Sequence, residues 1–354
     1  MPDNPKADIL MRSFVVSGLV ILAVVALVYG SGVLVPLAIA VLIWFLINAI
    51  SGGFQKIRVL GKRLPRSLAL ALALVSVLLV GMTALDLVVT NLSAMSSRAI
   101  DFESSLNPLI DKVAEWAGIS NKDVLNKIFD SIGIEKLFAR IVGATASFSG
   151  QLGVVIVYII FLLVEQQFFD LKLKALIKDE GKRSHITEIL NTIARDVQRY
   201  MWIMTLMSTL TAVLSWAVMR WIELEHAAFW AFLIFILNFI PTVGSILGTT
   251  LPTLFALIQF QHFSEPLELL LAIGAIQFVI GNFLQPRLAG QTLNMSQFIV
   301  ILSLFIWGAI WGVTGMFLAV PITAIIMIIL SNFESTRPAA IILSEKGSLE
   351  RNGS

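Results

Sequence analysis

Residues 238–252 read NFIPTVGSILGTTLP, and residues 307–321 read WGAIWGVTGMFLAVP. Each segment interrupts a long apolar run with Gly and Pro. The first lies within 227–261, 35 residues without one formal charge; the second lies within 296–331, 36 residues of the same kind. One membrane-spanning helix takes about 20 residues and two take about 40, so both lengths are awkward. Proline removes a backbone donor and crowds the preceding turn. In lipid, backbone freed in this way is tolerated only where protein buries it or where it lines a cavity. A re-entrant helical hairpin satisfies both the length and the breaks; two short, kinked full spans are the alternative.

Outward from these segments the chain repeats itself. Span 201–222 precedes the stretch 227–261, and span 267–284 precedes the stretch 296–331, in the opposite membrane orientation. Paired, Gly/Pro-interrupted segments in inverted halves point to the midplane site of a secondary transporter. Each stretch also holds G-x-x-x-G, Gly244/Gly248 and Gly308/Gly312, which allows close backbone approach. From His226 to Ser331 the formal charges are Glu265, Glu268 and Arg287.

The whole composition agrees. Of 354 residues, 57% are hydrophobic and 14% charged, against roughly 45–50% and about 25% in soluble domains. The chain reads as an all-α polytopic membrane protein, with about six full spans plus two re-entrant hairpins. If the hairpins cross, the count becomes about eight to ten spans. A net charge of +2 offers no basic face for nucleic acid. The absence of Cys excludes disulfides and thiolate chemistry, and three His are too scattered for a convincing metal cluster. No H-E-x-x-H, P-loop or GxSxG is present. The expectation is therefore a protein that is not an enzyme, uses no cofactor, and transports passively or with an ion gradient.

Residues 1–90 read as three spans, 14–29, 32–50 and 67–89. The first resembles a signal peptide in length, but the second run follows it so closely that a helical hairpin explains both better. Between the second and third spans stand Lys56, Arg58, Lys62, Arg63 and Arg66, with no acidic residue. That loop is a positive-inside signal, which puts the N-terminus, and by counting spans the C-terminus, in the cytoplasm. Residues 91–147 carry spaced apolar positions and both signs of charge, and read as an extracytoplasmic amphipathic helical module. Residues 148–200 hold span four (152–169) and a cytoplasmic amphipathic helix. The transport core is 201–331, and 332–354 form a cytoplasmic tail.

The candidate substrate-binding residues lie at the breaks. Asn238 and Pro241 combine an amide with freed carbonyls, although a cap at a hairpin tip would look the same. Gly244 permits close approach there. Ser245 and Thr249 offer hydroxyls to a hydroxylated ligand, and Thr250 has the same chemistry. Membrane Ser and Thr also bond their own helix, so a structural reading competes. Asn282, Gln285 and Arg287 form a polar run, with Arg287 a functional candidate by default unless it snorkels to headgroups. Trp307, Gly312, Thr314 and Gly315 mark the second break. Asp86 and Glu165, near span ends, read better as solvated or paired than as ion-coupling groups. His226 and His262 read as surface loop residues.

At NFIPTVGSILGTTLP, GNFLQPRLAG (281–290) and WGAIWGVTGMFLAVP the chain resembles the autoinducer-2 exporter family of bacterial inner-membrane permeases. The likeness covers nearly the whole chain, and the motifs are specific when taken together in this order. It implies a transporter in the lipid bilayer that is a homo-oligomer, a pentamer being one form, with elevator-like movement of a hairpin-bearing domain. It also implies export of autoinducer-2 as the small-molecule substrate. Sodium or lithium/proton antiport, with sodium or a proton as coupling ion, has been attributed to other members. One departure matters: many members carry an acidic residue before Pro-Arg, and this chain has Gln285. A non-transporting membrane scaffold is the reading from another class, and the costly helix breaks argue against it.

Overall fold

The computed structural model describes residues 5–56, 58–59, 62–97, 152–289, 294–345 and 347. Among them the chain is helical apart from a two-residue antiparallel ribbon. Helix α1 spans Pro5–Tyr29 and α2 spans Ser31–Lys56. The basic loop then forms β1 (Arg58–Val59) and β2 (Lys62–Arg63), in the register Arg58↔Arg63 and Val59↔Lys62. Helix α3 follows at Arg66–Ser97. The helical module expected at 91–147 lies, beyond the end of α3, outside the described residues.

Helix α4, Leu152–Glu165, is followed after a short break by α5, Phe169–Leu176, at an angle of 65°. The break is tied: Trp44 Nε1 donates to Gln166 Oε1 at 2.9 Å, and Lys172 pairs with Glu165. The straight part of the run expected as span four, 152–169, ends at Glu165, and the bent α4–α5 pair is either one broken span or a re-entrant loop. Helix α6 runs unbroken from Glu180 to Trp221, 42 residues, about 63 Å, or twice a hydrocarbon core of about 30 Å. Its charges divide it. Seven lie in 180–199, and after Arg199 the next is Arg220. The amphipathic helix expected before residue 201 and the span that follows are thus one rod, and the boundary drawn at 200 falls inside it.

Helices α7 (Ala227–Leu237) and α8 (Val243–Phe260) form an antiparallel hairpin. Its base is closed by Gln259, whose Oε1 accepts from Glu225 N at 2.7 Å and whose Nε2 donates to Glu223 O at 3.0 Å. Helix α9 (Ser264–Val279) passes into a π-helical turn, Ile280–Leu284, and then α10, Gln285–Ala289. Pro286 would crowd the carbonyl four residues back in a regular helix. Here the wider turn, with Gln285 N donating to Ile280 O, lets the helix continue.

The segment Gln297–Ser331, α11, contains non-helical backbone at Trp311 and Gly312. A straight helix would separate residues sixteen apart by about 24 Å. Instead Trp307 Nε1 donates to Thr323 Oγ1 at 3.1 Å. A Cβ on Gly315 would stand only 1.8 Å from the Trp307 carbonyl oxygen. The chain doubles back at Trp311–Gly312. Helix α12, Arg337–Leu343, packs on α11, and Ser296 N donates to Leu343 O at 3.1 Å beside a Met295↔Ser344 bridge.

Six described helices are long and apolar enough to cross a membrane, or seven if the bent α4–α5 pair counts as one span. Large apolar side chains stand outward along them, including Phe161 at 67% and Phe305 at 68% exposure. Surfaces of that kind require lipid as solvent. The protein is a multi-pass membrane protein.

The chain forms two compact units. One contains Met1–Trp44, Val154–Ile193 and Asn294–Gly353; the other contains Phe45–Gly153 and Ala194–Leu293. The second is centred on the buried residues Phe229, Trp230, Ile234, Leu251, Phe255, Leu269 and Ile273, closed by Val88 and Met219. This core fixes α7 and α8 against α9, and so sets the position of the hairpin tip.

Candidate functional site

The tip of the α7–α8 hairpin carries a strained turn. Asn238 N still donates to Ile234 O at 3.0 Å, completing α7. Then Val243 N donates to Pro241 O at 2.6 Å, across Thr242 at φ 64° and ψ −57°. That is a γ-turn of the rarer, positive-φ kind, built on a β-branched residue that avoids this region. Strain of this sort persists where surrounding structure holds it, and it concentrates at clamps and switches. Gly244 provides the space: a Cβ there would lie 1.8 Å from the Leu237 carbonyl oxygen. Gly244 and Gly315 thus serve the two hairpins alike, each letting the second arm start against the last carbonyl turn of the first.

A side chain from α9 reaches this tip. Gln277 Nε2 donates to Asn238 Oδ1 at 3.2 Å, and both residues are half-buried. The same amide lies over Gly248, where a Cβ would meet Gln277 Nε2 and Ile234 Cγ1 at 3.4 Å. The contact of Gln277 with the hairpin tip was not legible in the sequence. A lone amide in an apolar span has no motif, and its only signal is its polarity.

The other candidates of this unit divide. Thr249 is buried and its Oγ1 donates to Ser245 O at 2.9 Å; Thr253 Oγ1 donates to Thr249 O at 2.8 Å. These hydroxyls bond their own helix. Ser245 is half-buried and Thr250 exposed. Asn282 is exposed and its Nδ2 donates to Phe278 O at 3.0 Å. Gln285 Nε2 points to Met204 Sδ at 3.5 Å. Arg287 is exposed, one turn beyond the π-helical segment, with no ion-pair partner among the described residues. Asn238, Pro241 and Gly244 therefore form one cluster with Gln277, while Asn282 and Arg287 stand apart from it on the far end of the α9–α10 rod.

In the other unit, Trp307 and Trp311 are 5.3 Å apart between ring centres. Both indole N–H groups are committed, Trp307 to Thr323 and Trp311 to the Leu27 carbonyl at 2.9 Å. Gly312, at φ 62° and ψ −144°, makes the turn in a region only Gly occupies readily. Gly315 is buried and Thr314 half-buried. Trp307, Gly312 and Gly315 have structural roles at this turn.

The flanking groups are tied. His226 is not a loose loop residue: it is half-buried, and its Nδ1 lies 2.6 Å from Asn91 Oδ1. His262 lies 2.6 Å from Glu265. Glu165 is paired with Lys172, and Asp86 is exposed.

Comparison with known proteins fits this architecture. The family described as AI-2E family transporter matches residues 17–335. The AI-2 transport protein TqsA of Escherichia coli K12 is 24% identical over 345 residues, covering 95% of this chain and 96% of TqsA. YhhT of the same strain, named for transport, is 27% identical over 97% of this chain and 95% of its own length. A protein of Borreliella burgdorferi, also named for transport, is 31% identical over 63% of this chain and 62% of its own length. With helical spans, two interrupted helical hairpins and a family match over nearly its whole length, the chain belongs to the AI-2E transporter family.

Proposed function

We propose that the chain is a secondary transporter of the bacterial inner membrane that exports autoinducer-2 or a similar small, uncharged polar metabolite. It works by elevator-like alternating access, as a homo-oligomer, with both termini in the cytoplasm. The segments 227–261 and 296–331 are re-entrant hairpins of inverted orientation. On each hairpin the residues that contact the cargo lie at the tip: Asn238, Pro241, Gly244, Ser245 and Thr249 on the first, and Trp307, Gly312, Thr314 and Gly315 on the second. Asn282, Gln285 and Arg287 contact the cargo at the cytoplasmic end of the α9–α10 rod.

One observation carries this reading: both hairpins break at a non-helical turn after a first arm too short to cross. Helix α7 has 11 residues, about 16 Å, and the arm 297–310 is about 21 Å long, against a hydrocarbon core of about 30 Å. Freed backbone at mid-depth is useful to a transporter and costly to a passive anchor. The cargo is drawn from the name of TqsA, an AI-2 transport protein. Sodium/proton antiport is the alternative. Against it, no Asp or Glu occurs from residue 269 to 333, so the second hairpin and its flanks offer no proton-exchanging carboxylate. The test is the partition of autoinducer-2 between cells and medium after deletion of the gene. Cellular retention that returns to normal with the intact gene is expected, and an unchanged partition would sink the proposal.

A further inference from the structure

We infer that Gln277 is a direct substrate ligand, and that it and Asn238 form one neutral amide pair selecting uncharged molecules with neighbouring hydroxyl groups. The inference rests on the reading that the hairpin tips carry the substrate site, and it names the chemistry of that site. Gln277 stands thirteen residues beyond Ser264, about 20 Å along α9, and so well inside a core of about 30 Å. A primary amide has one carbonyl acceptor and two N–H donors. The Gln277–Asn238 bond uses one donor and one acceptor. Gln277 Oε1 and Asn238 Nδ2 then have no partner among the described residues.

Polar groups at this depth are costly when unsatisfied. Turning both amides over changes nothing essential, because one carbonyl and one NH2 of the hydrogen-bonded pair still remain open. A hydroxylated molecule fits that pattern, one O–H donating to the carbonyl while a neighbouring oxygen accepts from the NH2. A sodium ion does not, since it would face an N–H donor where it needs oxygens. A carboxylate-bearing substrate would find an acceptor carbonyl and no countercharge. Gly248 keeps the floor beneath the Gln277 amide flat, and the Thr242 turn with Gly244 holds Asn238 at the end of α7.

The test uses the purified full chain in detergent, reading the rise in Tm with added autoinducer-2, D-ribose or sodium chloride. At least one neutral compound is expected to raise the wild-type Tm. Its apparent Kd should weaken at least tenfold in Gln277→Leu and less in Gln277→Asn, which keeps an amide on a shorter stem and guards against a folding defect. Sodium should show no dependence on residue 277. Equal binding by Gln277→Leu, stabilisation by sodium alone, or no response to either neutral compound would overturn the inference. Binding of D-ribose without autoinducer-2 would keep the amide site and remove autoinducer-2 as the cargo.

Discussion

At Gly244 and Gly315 the neighbour is a backbone carbonyl, which cannot move aside without unwinding the arm that carries it. Gly248 and Gly308 differ. A Cβ on the first meets side-chain atoms at 3.4 Å, and one on the second meets the end of Met316 at 2.9 Å. Gly244→Ala and Gly315→Ala should therefore each cost about 3 kcal/mol or prevent accumulation of folded protein. Gly248→Ala should fall within about 1 kcal/mol of wild type, because helix propensity offsets the tighter contact. Thermal unfolding of the four purified variants, including Gly308→Ala on the mild side, checks the order. Sequence alone marked all four as one G-x-x-x-G pattern or its neighbours. The distinction depends on what stands opposite each glycine, and that comes from the turn geometry.

Among the elements, the second hairpin is held together by the Trp307–Thr323 hydrogen bond, which joins its arms on the inside of the bend. Thr323 is buried, so loss of the bond should cost about 1 kcal/mol. Thr323→Val and Trp307→Phe should each lower thermal stability, and the double variant should lose less than the sum of the two. Full additivity would show that the contact contributes nothing. The interruptions themselves were legible, because Gly and Pro stand out in an apolar run. Their neighbourhood was legible too, since Pro241, Gly244 and Gly312 were read as marking the breaks, but the turning residue Thr242 was not. Pro252 and Pro321 lie inside second arms, whereas the turns fall at Pro241–Val243 and at Trp311–Gly312. The second turn falls where Gly312 can take a positive φ, whereas the first imposes a positive φ on Thr242 against its preference, so its place follows from where the arms pack. Gln277 was illegible for the same reason, since its meaning arises only when α9 lies beside the tip of the first hairpin.

For the whole molecule, the distribution of charge places the membrane. Helix α6 has charge through Arg199 and then none until Arg220, so one rod passes from water into lipid. The chain has no native cysteine, which makes single-cysteine labelling clean. In whole cells and in inside-out vesicles, a membrane-impermeant maleimide should label His185→Cys only from the cytoplasmic face. It should label His262→Cys only from outside and Leu210→Cys from neither. Labelling of the first two from the same face would remove the proposed orientation. The central claim, gradient-driven or passive movement of a small uncharged cargo past the hairpin tips, is tested most directly by efflux of autoinducer-2. The assay uses proteoliposomes containing only this chain and no nucleotide. The account predicts saturable efflux well above protein-free liposomes, reduced at least tenfold by Asn238→Leu. Efflux no faster than from protein-free liposomes, or efflux unaffected by Asn238→Leu, would contradict it.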